Sequence, residues 1–206
     1  MYARSTTFHA DKARLDDGIA YVRSEVLPAV SDMDGCIGVS LLVERKTGRS
    51  IITTAWRDEL ALQASDQQVA GLRARGAEAF GATAEVQVWE IAVLHRTDEA
   101  GHQACVRATW TQCDADRVQR SIDTYRETLL PAIEELPGFR SASLFVDRAR
   151  GRSVSSVTYA DRSALDESRE AAVALRRTAV QENDLQVLEI AEFDLEIAHL
   201  RVPETV

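Results

Sequence analysis

The chain has little of what would announce a metal, a cofactor or a membrane. Its 206 residues include three cysteines, Cys36, Cys105 and Cys113. Their number is odd and no CxxC pair occurs, which speaks against a disulfide framework or a zinc site. They read as free, buried or half-buried thiols. The four histidines, His9, His95, His102 and His199, form no HxxxH or similar pair, so no metal is expected. No GxSxG elbow, phosphate loop or dinucleotide fingerprint is present, and no cofactor is expected. No apolar run approaches the roughly 20 residues needed to span a bilayer. The stretch MYARSTTFHADK lacks the apolar core of a signal peptide. The expectation is a cytoplasmic protein with no membrane partner. Lysine is nearly missing: Lys12 and Lys46 are the only two among 24 basic residues, against 33 acidic ones. A net charge of −9 repels phosphate backbones, so nucleic acid is not an expected partner.

What the chain does have is itself, twice. Residues from about Arg4 to Ser65 return at about Arg107 to Ser168, 103 positions later. The identities include Arg4/Arg107, Ile19/Ile122, Leu27-Pro28-Ala29/Leu130-Pro131-Ala132, Gly48-Arg49-Ser50/Gly151-Arg152-Ser153 and Asp58/Asp161. Roughly a third of the positions match without a gap, the mark of an internal duplication. After a four-residue shift, Val88, Glu90, Ile91 and Ala92 read as returning at Val187, Glu189, Ile190 and Ala191.

Each copy reads strand, helix, strand, strand, helix, strand. The first strands are about Tyr2 to Phe8 and Cys105 to Gln112, with Asp11 and Asp114 where an N-cap would stand. The next helix carries the stripe Leu15, Ile19, Val22, Val26, Val30, copied as Val118, Ile122, Tyr125, Leu129, Ile133. Pro28 and Pro131 should kink or loosen these helices in their last turns. A hairpin follows in each copy, with Gly48 and Gly151 in the turn where the backbone needs positive φ. Asp58 and Asp161 cap the second helices, and the last strands run about Val86 to His95 and Leu185 to Phe193.

The β-α-β-β-α-β order is the ferredoxin-like unit, with strand order 4-1-3-2 and both helices on one face. The uncovered faces need a partner. The fold expected is therefore α+β: two tandem repeats packed sheet to sheet as an intramolecular barrel, a pseudo-dimer in one chain. Repeat one covers 1–95, a polar linker 96–103, and repeat two with a C-terminal extension 104–206. Further self-association is left open.

Arg4 with Glu90, and Arg107 with Glu189, are the sharpest constellation. Each charge interrupts a mostly apolar or small-residue strand, and strands 1 and 4 are neighbours in the expected order. Cross-strand ion pairs Arg4–Glu90 and Arg107–Glu189 are expected. The same arginines could instead anchor a bound acid or phenol. Trp56, Tyr159, Trp89 and Trp110 lie on strands. Of these, Trp56, Tyr159 and Trp110 are candidate ligand contacts beside the two arginines, with core packing as the alternative for Trp56 and Tyr159.

The helix ending Leu27-Pro28-Ala29, then Asp34-Gly35-Cys36, the turn at Gly48 and the run Trp56-Arg57-Asp58-Glu59-Leu60-Ala61-Leu62 resemble the antibiotic biosynthesis monooxygenase-like domains of the dimeric α+β barrel superfamily. Repeat two offers Leu136-Pro137-Gly138-Phe139 and Tyr159-Ala160-Asp161 at matching places. The resemblance implies a ligand cleft between sheet and helices and, in some relatives, cofactor-free oxygenation of aromatic substrates or haem degradation. Haem degraders use a first-strand asparagine, a tryptophan after the third strand and a helix-two histidine. Trp56 matches the tryptophan, but the first strands carry no asparagine, and Ser65 and Ser168 stand near the histidine position, so haem degradation is not expected. Two functions stay open. One is a cofactor-independent monooxygenase-like protein acting on or binding a small aromatic or polyketide-like molecule. The other is a non-catalytic small-molecule-binding or assembly domain. Catalytic residues are unassigned. A roomy cleft in only one repeat would favour the enzyme, and two filled cores the binding or scaffold role.

Overall fold

A computed structural model describes residues 1–98 and 100–200; Glu99 of the expected linker and the last six residues of the expected C-terminal extension lie outside it. The element order is β1 (Tyr2–His9), α1 (Leu15–Tyr21), α2 (Leu27–Ser31), β2 (Cys36–Glu44), β3 (Arg49–Trp56), α3 (Glu59–Ala64), α4 (Asp66–Phe80) and β4 (Ala84–Arg96). Then come β5 (Cys105–Gln112), α5 (Val118–Thr124), α6 (Leu130–Glu134), β6 (Phe139–Asp147), β7 (Arg152–Tyr159), α7 (Arg162–Glu167), α8 (Arg169–Asn183) and β8 (Gln186–Leu200). The eight strands form one closed barrel in the order β1-β3-β2-β8-β5-β7-β6-β4. The fold is the expected one, an α+β barrel made from two ferredoxin-like repeats.

Of the two effects expected of the prolines, the structure shows the loosening. Pro28 and Pro131 stand in the first turn of α2 and α6, each directly after a five-residue π-helical turn, Val22–Val26 and Tyr125–Leu129. A proline has no N–H to give the turn before it, and the wider π turn absorbs that loss while the chain stays helical. Asp11 accepts from the Ala13 amide at 3.0 Å as a cap, but Asp114 makes no such bond and lies 3.8 Å from Arg117 instead.

Contact density divides the chain into two units. The first holds Met1–Trp89 and the stretch from Asp194; the second holds Glu90–Phe193. In the first, β3 lies between β1 and β2, with Tyr2 and Cys36 both opposite Trp56, and the end of β8 pairs with β2. In the second, β7 lies between β5 and β6, with Cys105 and Phe139 both opposite Tyr159, and the end of β4 pairs with β6. β4 and β8 are thus longer than expected, and each continues from one repeat's sheet onto the second strand of the other repeat.

That continuation corrects the alignment of the last strands. Glu90 and Ile91 oppose Val146 and Phe145, while Asp194 and Leu195 oppose Val43 and Leu42. Since Val43 and Val146 are 103 apart, Glu90 matches Asp194, 104 positions on, and not Glu189. The difference of five residues is odd, and in a strand an odd slip moves every side chain to the other face.

The turn glycines are required where expected. Gly48 has φ +80°, and a Cβ there would sit 2.3 Å from the Ala10 carbonyl oxygen; Gly151 has φ +64° and would meet Cys113 O at 2.0 Å. Each glycine carbonyl accepts a 2.9 Å bond from the same neighbour's amide, Ala10 or Cys113, tying the hairpin to the end of β1 or β5. No helix among the described residues is long and apolar enough to cross a membrane.

Candidate functional site

Alternation along β1 and β5 decides which side chains meet the helices. Arg4, Thr6 and Phe8 share one face of β1; Arg107, Thr109 and Thr111 hold the same places on β5. Both arginines are almost fully buried, Arg4 2% and Arg107 6% exposed. Arg4 donates to Leu62 O at 2.8 Å and Ser65 Oγ at 3.0 Å, and pairs with Asp66. Arg107 repeats the first two bonds, to Leu165 O at 2.7 Å and Ser168 Oγ at 2.9 Å. Ser65 and Ser168 therefore fasten the helices to the buried arginines. Each also donates back to the carbonyl that its arginine uses, at 2.7 and 2.8 Å.

The expected cross-strand ion pairs are replaced by others. Glu90 makes a two-pronged bond with Arg148, at 2.6 and 2.9 Å, because the later part of β4 runs beside β6 and its turn. That bond holds the Glu90 carboxyl below its ordinary pKa. The carboxylate that meets Arg107 is Glu192 at 3.3 Å. Glu189 alternates with Ala191 and Phe193 onto the opposite side of the strand.

The two copies then differ in one respect that matters. Between sheet and helices of repeat one, Phe8 and Phe80 stack at 4.9 Å between centroids and are 1% and 0% exposed. Phe80 lies directly on Gly18, where a Cβ would be 2.1 Å from its ring. A void of only about 20 Å³ remains, lined among others by Thr6, Tyr21, Thr54 and Arg73. In repeat two the residues 103 positions on are Thr111 for Phe8, Asn183 for Phe80 and Ser121 for Gly18. There a cavity of about 100 Å³ opens, lined by all three.

The cavity has apolar walls, including Leu129, Ile133, Leu144, Val157 and Leu175, and a few polar groups. Arg107 donates to the Tyr159 hydroxyl at 3.3 Å, and its guanidinium carbon lies 5.5 Å from that ring's centroid. Ser155 donates to the Tyr125 hydroxyl at 3.2 Å. Burial pushes the Tyr125 phenol up to about 12, so it stays protonated near neutrality. Asn183 accepts from Thr124 at 3.1 Å and donates to Ala179 O at 3.2 Å. An apolar cavity with a few convergent polar groups is the usual form of a small-molecule site.

Of the expected ligand contacts, Arg107 and Tyr159 line this cavity and the others do not. Trp56 is completely buried in the repeat-one core, its indole donating to Thr54 at 3.0 Å. Arg4 is sealed beneath α3 by the bonds above. Trp110 has the opposite parity from Arg107, so it leaves the cavity and packs edge-on against Phe193, 6.3 Å between centroids. Tyr125, Asn183, Thr111, Ser121 and Ser155 were not singled out. Tyr125 was hidden in an apolar stripe. The signal for the rest was available in the polar residues that repeat two sets against apolar or small ones in repeat one. Among the described residues no group of three or more His, Cys, Asp or Glu side chains could hold a metal ion.

A barrel of two ferredoxin-like repeats with a cleft between sheet and helices is the architecture of the monooxygenase-like α+β barrels. The antibiotic biosynthesis monooxygenase model matches residues 1–83. The uncharacterized protein Rv2557 of Mycobacterium tuberculosis is 50% identical over 206 residues, all of this chain and 92% of that one. Rv2558 of the same organism is 48% identical over 207 residues, covering 100% and 88%. Among solved structures, a candidate monooxygenase of Fusobacterium nucleatum superposes with a TM-score of 0.75 at 12% identity, covering 99% and 96% of the two chains. At such identities the likeness concerns the fold alone. Residues 1–83 thus form an antibiotic biosynthesis monooxygenase domain, and the whole chain belongs to one family with Rv2557 and Rv2558.

Proposed function

We propose that the repeat-two cavity is the working site and that it takes a small aromatic molecule of about one ring. The observation that carries this is the asymmetry of the copies: Phe8, Phe80 and Gly18 close the cleft of repeat one, and Thr111, Asn183 and Ser121 open that of repeat two. An apolar cavity of about 150 Å³ is enough to bind benzene. At about 100 Å³ this one suits a single ring better than a fused polyketide.

The family favours oxygenation without a bound cofactor. In such a reaction an activated CH2 group and O2 give a C=O group and water, and the substrate supplies all the electrons. The residues here fit one half of that task. The Tyr125 and Tyr159 hydroxyls would donate to an oxyanion, with the positive charge of Arg107 behind Tyr159. None of the lining residues is a carboxylate, histidine, lysine or cysteine, and Tyr125 stays protonated near neutrality, so it offers no base. The oxygenase reading therefore calls for a substrate that ionises readily by itself. The same missing base favours the second reading, a site that binds without turnover.

The test is calorimetric titration with phenol and with benzoate of the wild type and of Ser121→Gly/Asn183→Phe, which rebuilds the repeat-one filling. Binding of either probe to the wild type and its loss in the filled variant are expected. Binding that survives the filling, or none of either probe to the wild type, would overturn the site. Dioxygen uptake with 1,3-cyclohexanedione, a one-ring molecule whose CH2 group ionises readily and would be converted to C=O with release of water, abolished by the same variant, separates turnover from binding.

A further inference from the structure

Among the described residues, one arginine of the cavity has no partner. Arg176 on α8 lines it beside Arg107 and is half-buried. No described residue hydrogen-bonds or ion-pairs with Arg176; the one charge that acts on it noticeably is that of Arg107, which is also positive. Arg107, by contrast, has its donors engaged by Leu165 O, Ser168, Tyr159 and Glu192.

The surroundings tilt the same way. Glu192 is shared among three arginines: Arg107 at 3.3 Å, Arg162 at 3.3 Å and Arg169 at 3.2 Å. Arg169 also holds Asp166 at 2.7 Å. With Arg176, four arginines stand around one site, three of them sharing Glu192, on a chain whose net charge is −9. The positions of repeat one equivalent to Arg162 and Arg169 are Glu59 and Asp66. The copy that opened the cavity has thus also exchanged two acidic residues for arginines. Arg169 and Arg176 are seven residues apart on α8, so they lie on one face two turns apart, the face that carries Ala172, Ala179 and Asn183 to the cavity.

We infer that the ligand of this site is an anion, an aromatic carboxylate whose ring enters the cavity and whose carboxylate is held by Arg176. This rests on the cavity reading above and adds the charge class of its ligand. A guanidinium offers a carboxylate two parallel donors, and a half-buried one with no partner is a site waiting for one. Burial and the Arg107 charge both hold the Arg176 pKa below its ordinary value, the condition an anion would relieve. In repeat one Arg73 stands at the equivalent position, but only the remnant void lies beside it.

The experiment titrates benzoate and benzamide, equal in shape and different in charge, into the wild type, Arg176→Gln and Arg176→Lys. Benzoate should bind the wild type roughly tenfold tighter or more than benzamide. Arg176→Gln should bring benzoate down to the level of benzamide and weaken benzamide far less than benzoate, and Arg176→Lys should keep part of the preference. Equal binding of the two probes to the wild type overturns the anion assignment while the cavity reading stands. A preference for benzoate that survives Arg176→Gln overturns the role of Arg176. Displacement of benzoate by equimolar inorganic phosphate makes the rim a simple anion site and overturns the aromatic part. Failure of both probes to bind the wild type, with circular dichroism showing it folded, sinks the charge class and the cavity together.

Discussion

Gly18 and Phe80 should be coupled, and the coupling can be measured. The perturbations are the residues that repeat two already uses: Gly18→Ser and Phe80→Asn, alone and together. A serine Cβ would stand 2.1 Å from a Phe80 ring that is 0% exposed and stacked on Phe8, so the ring has nowhere to retreat. Overpacking of this kind costs about 1–3 kcal/mol. Better helix propensity at position 18 returns about 0.5 kcal/mol. Phe80→Asn removes a buried aromatic and should cost about 3–5 kcal/mol. Once the ring is gone the serine meets no obstacle, so the double variant should be more stable than the sum of the singles by about 1–2 kcal/mol. Urea unfolding followed by circular dichroism gives all three values, provided the m-value holds across the set. Additivity within about 0.5 kcal/mol, or a Gly18→Ser cost near zero, would refute the claim that Phe80 lying on Gly18 is what closes repeat one.

Arg4→Met and Arg107→Met should cost about 1–3 kcal/mol each, because each removes two buried hydrogen bonds and leaves a carbonyl and a serine hydroxyl with only each other. The cost stays below that of a broken buried ion pair, since Asp66 is 67% exposed and Glu192 keeps Arg162 and Arg169. Chemical denaturation of the two variants checks this, and a loss under about 0.5 kcal/mol in either would contradict it. Tyr125 should make the fold sensitive to alkali. Its folded-state pKa of about 12 exceeds the ordinary phenol value of about 10, so the unfolded chain gives up the proton first. Its contribution is whole below about pH 10 and falls as pH rises toward 12. Tyr125→Phe should remove that part of the slope when stability is compared at pH 9 and about pH 11; parallel slopes for variant and wild type would count against it.

The fold was legible because each copy states it independently. The stripes Leu15–Val30 and Val118–Ile133, the turn glycines and the capping aspartates Asp58 and Asp161 all agree between copies, and the structure uses them alike. The last strands were less legible. They are short runs of alternating apolar and charged residues, and such runs align almost as well at one shift as at another. Only ladder pairing, Glu90 with Val146 and Asp194 with Val43, fixes the register. Arg107 and Tyr159 could be picked out because a charge and an aromatic on small-residue strands stand out. Tyr125 could not, because at its position an aromatic core residue and a cavity wall look alike in sequence.

The duplication also explains how a small chain can afford an open cavity. Leaving about 100 Å³ unfilled in a core costs roughly 2–3 kcal/mol at about 24 cal/mol per Å³. That is a large share of the 5–15 kcal/mol that typically stabilises a domain. A protein with one copy must carry both the cavity and the stability in the same core. Here repeat one places Phe8 and Phe80 where the ligand would go, and so gains the burial of two aromatic rings. Repeat two is free to set Thr111, Asn183 and Ser121 around a void and to gather arginines at its rim. The family model matches residues 1–83, in the copy that has closed its cleft. On the proposal above, the ligand site lies in the other repeat, outside the residues that the family model matches.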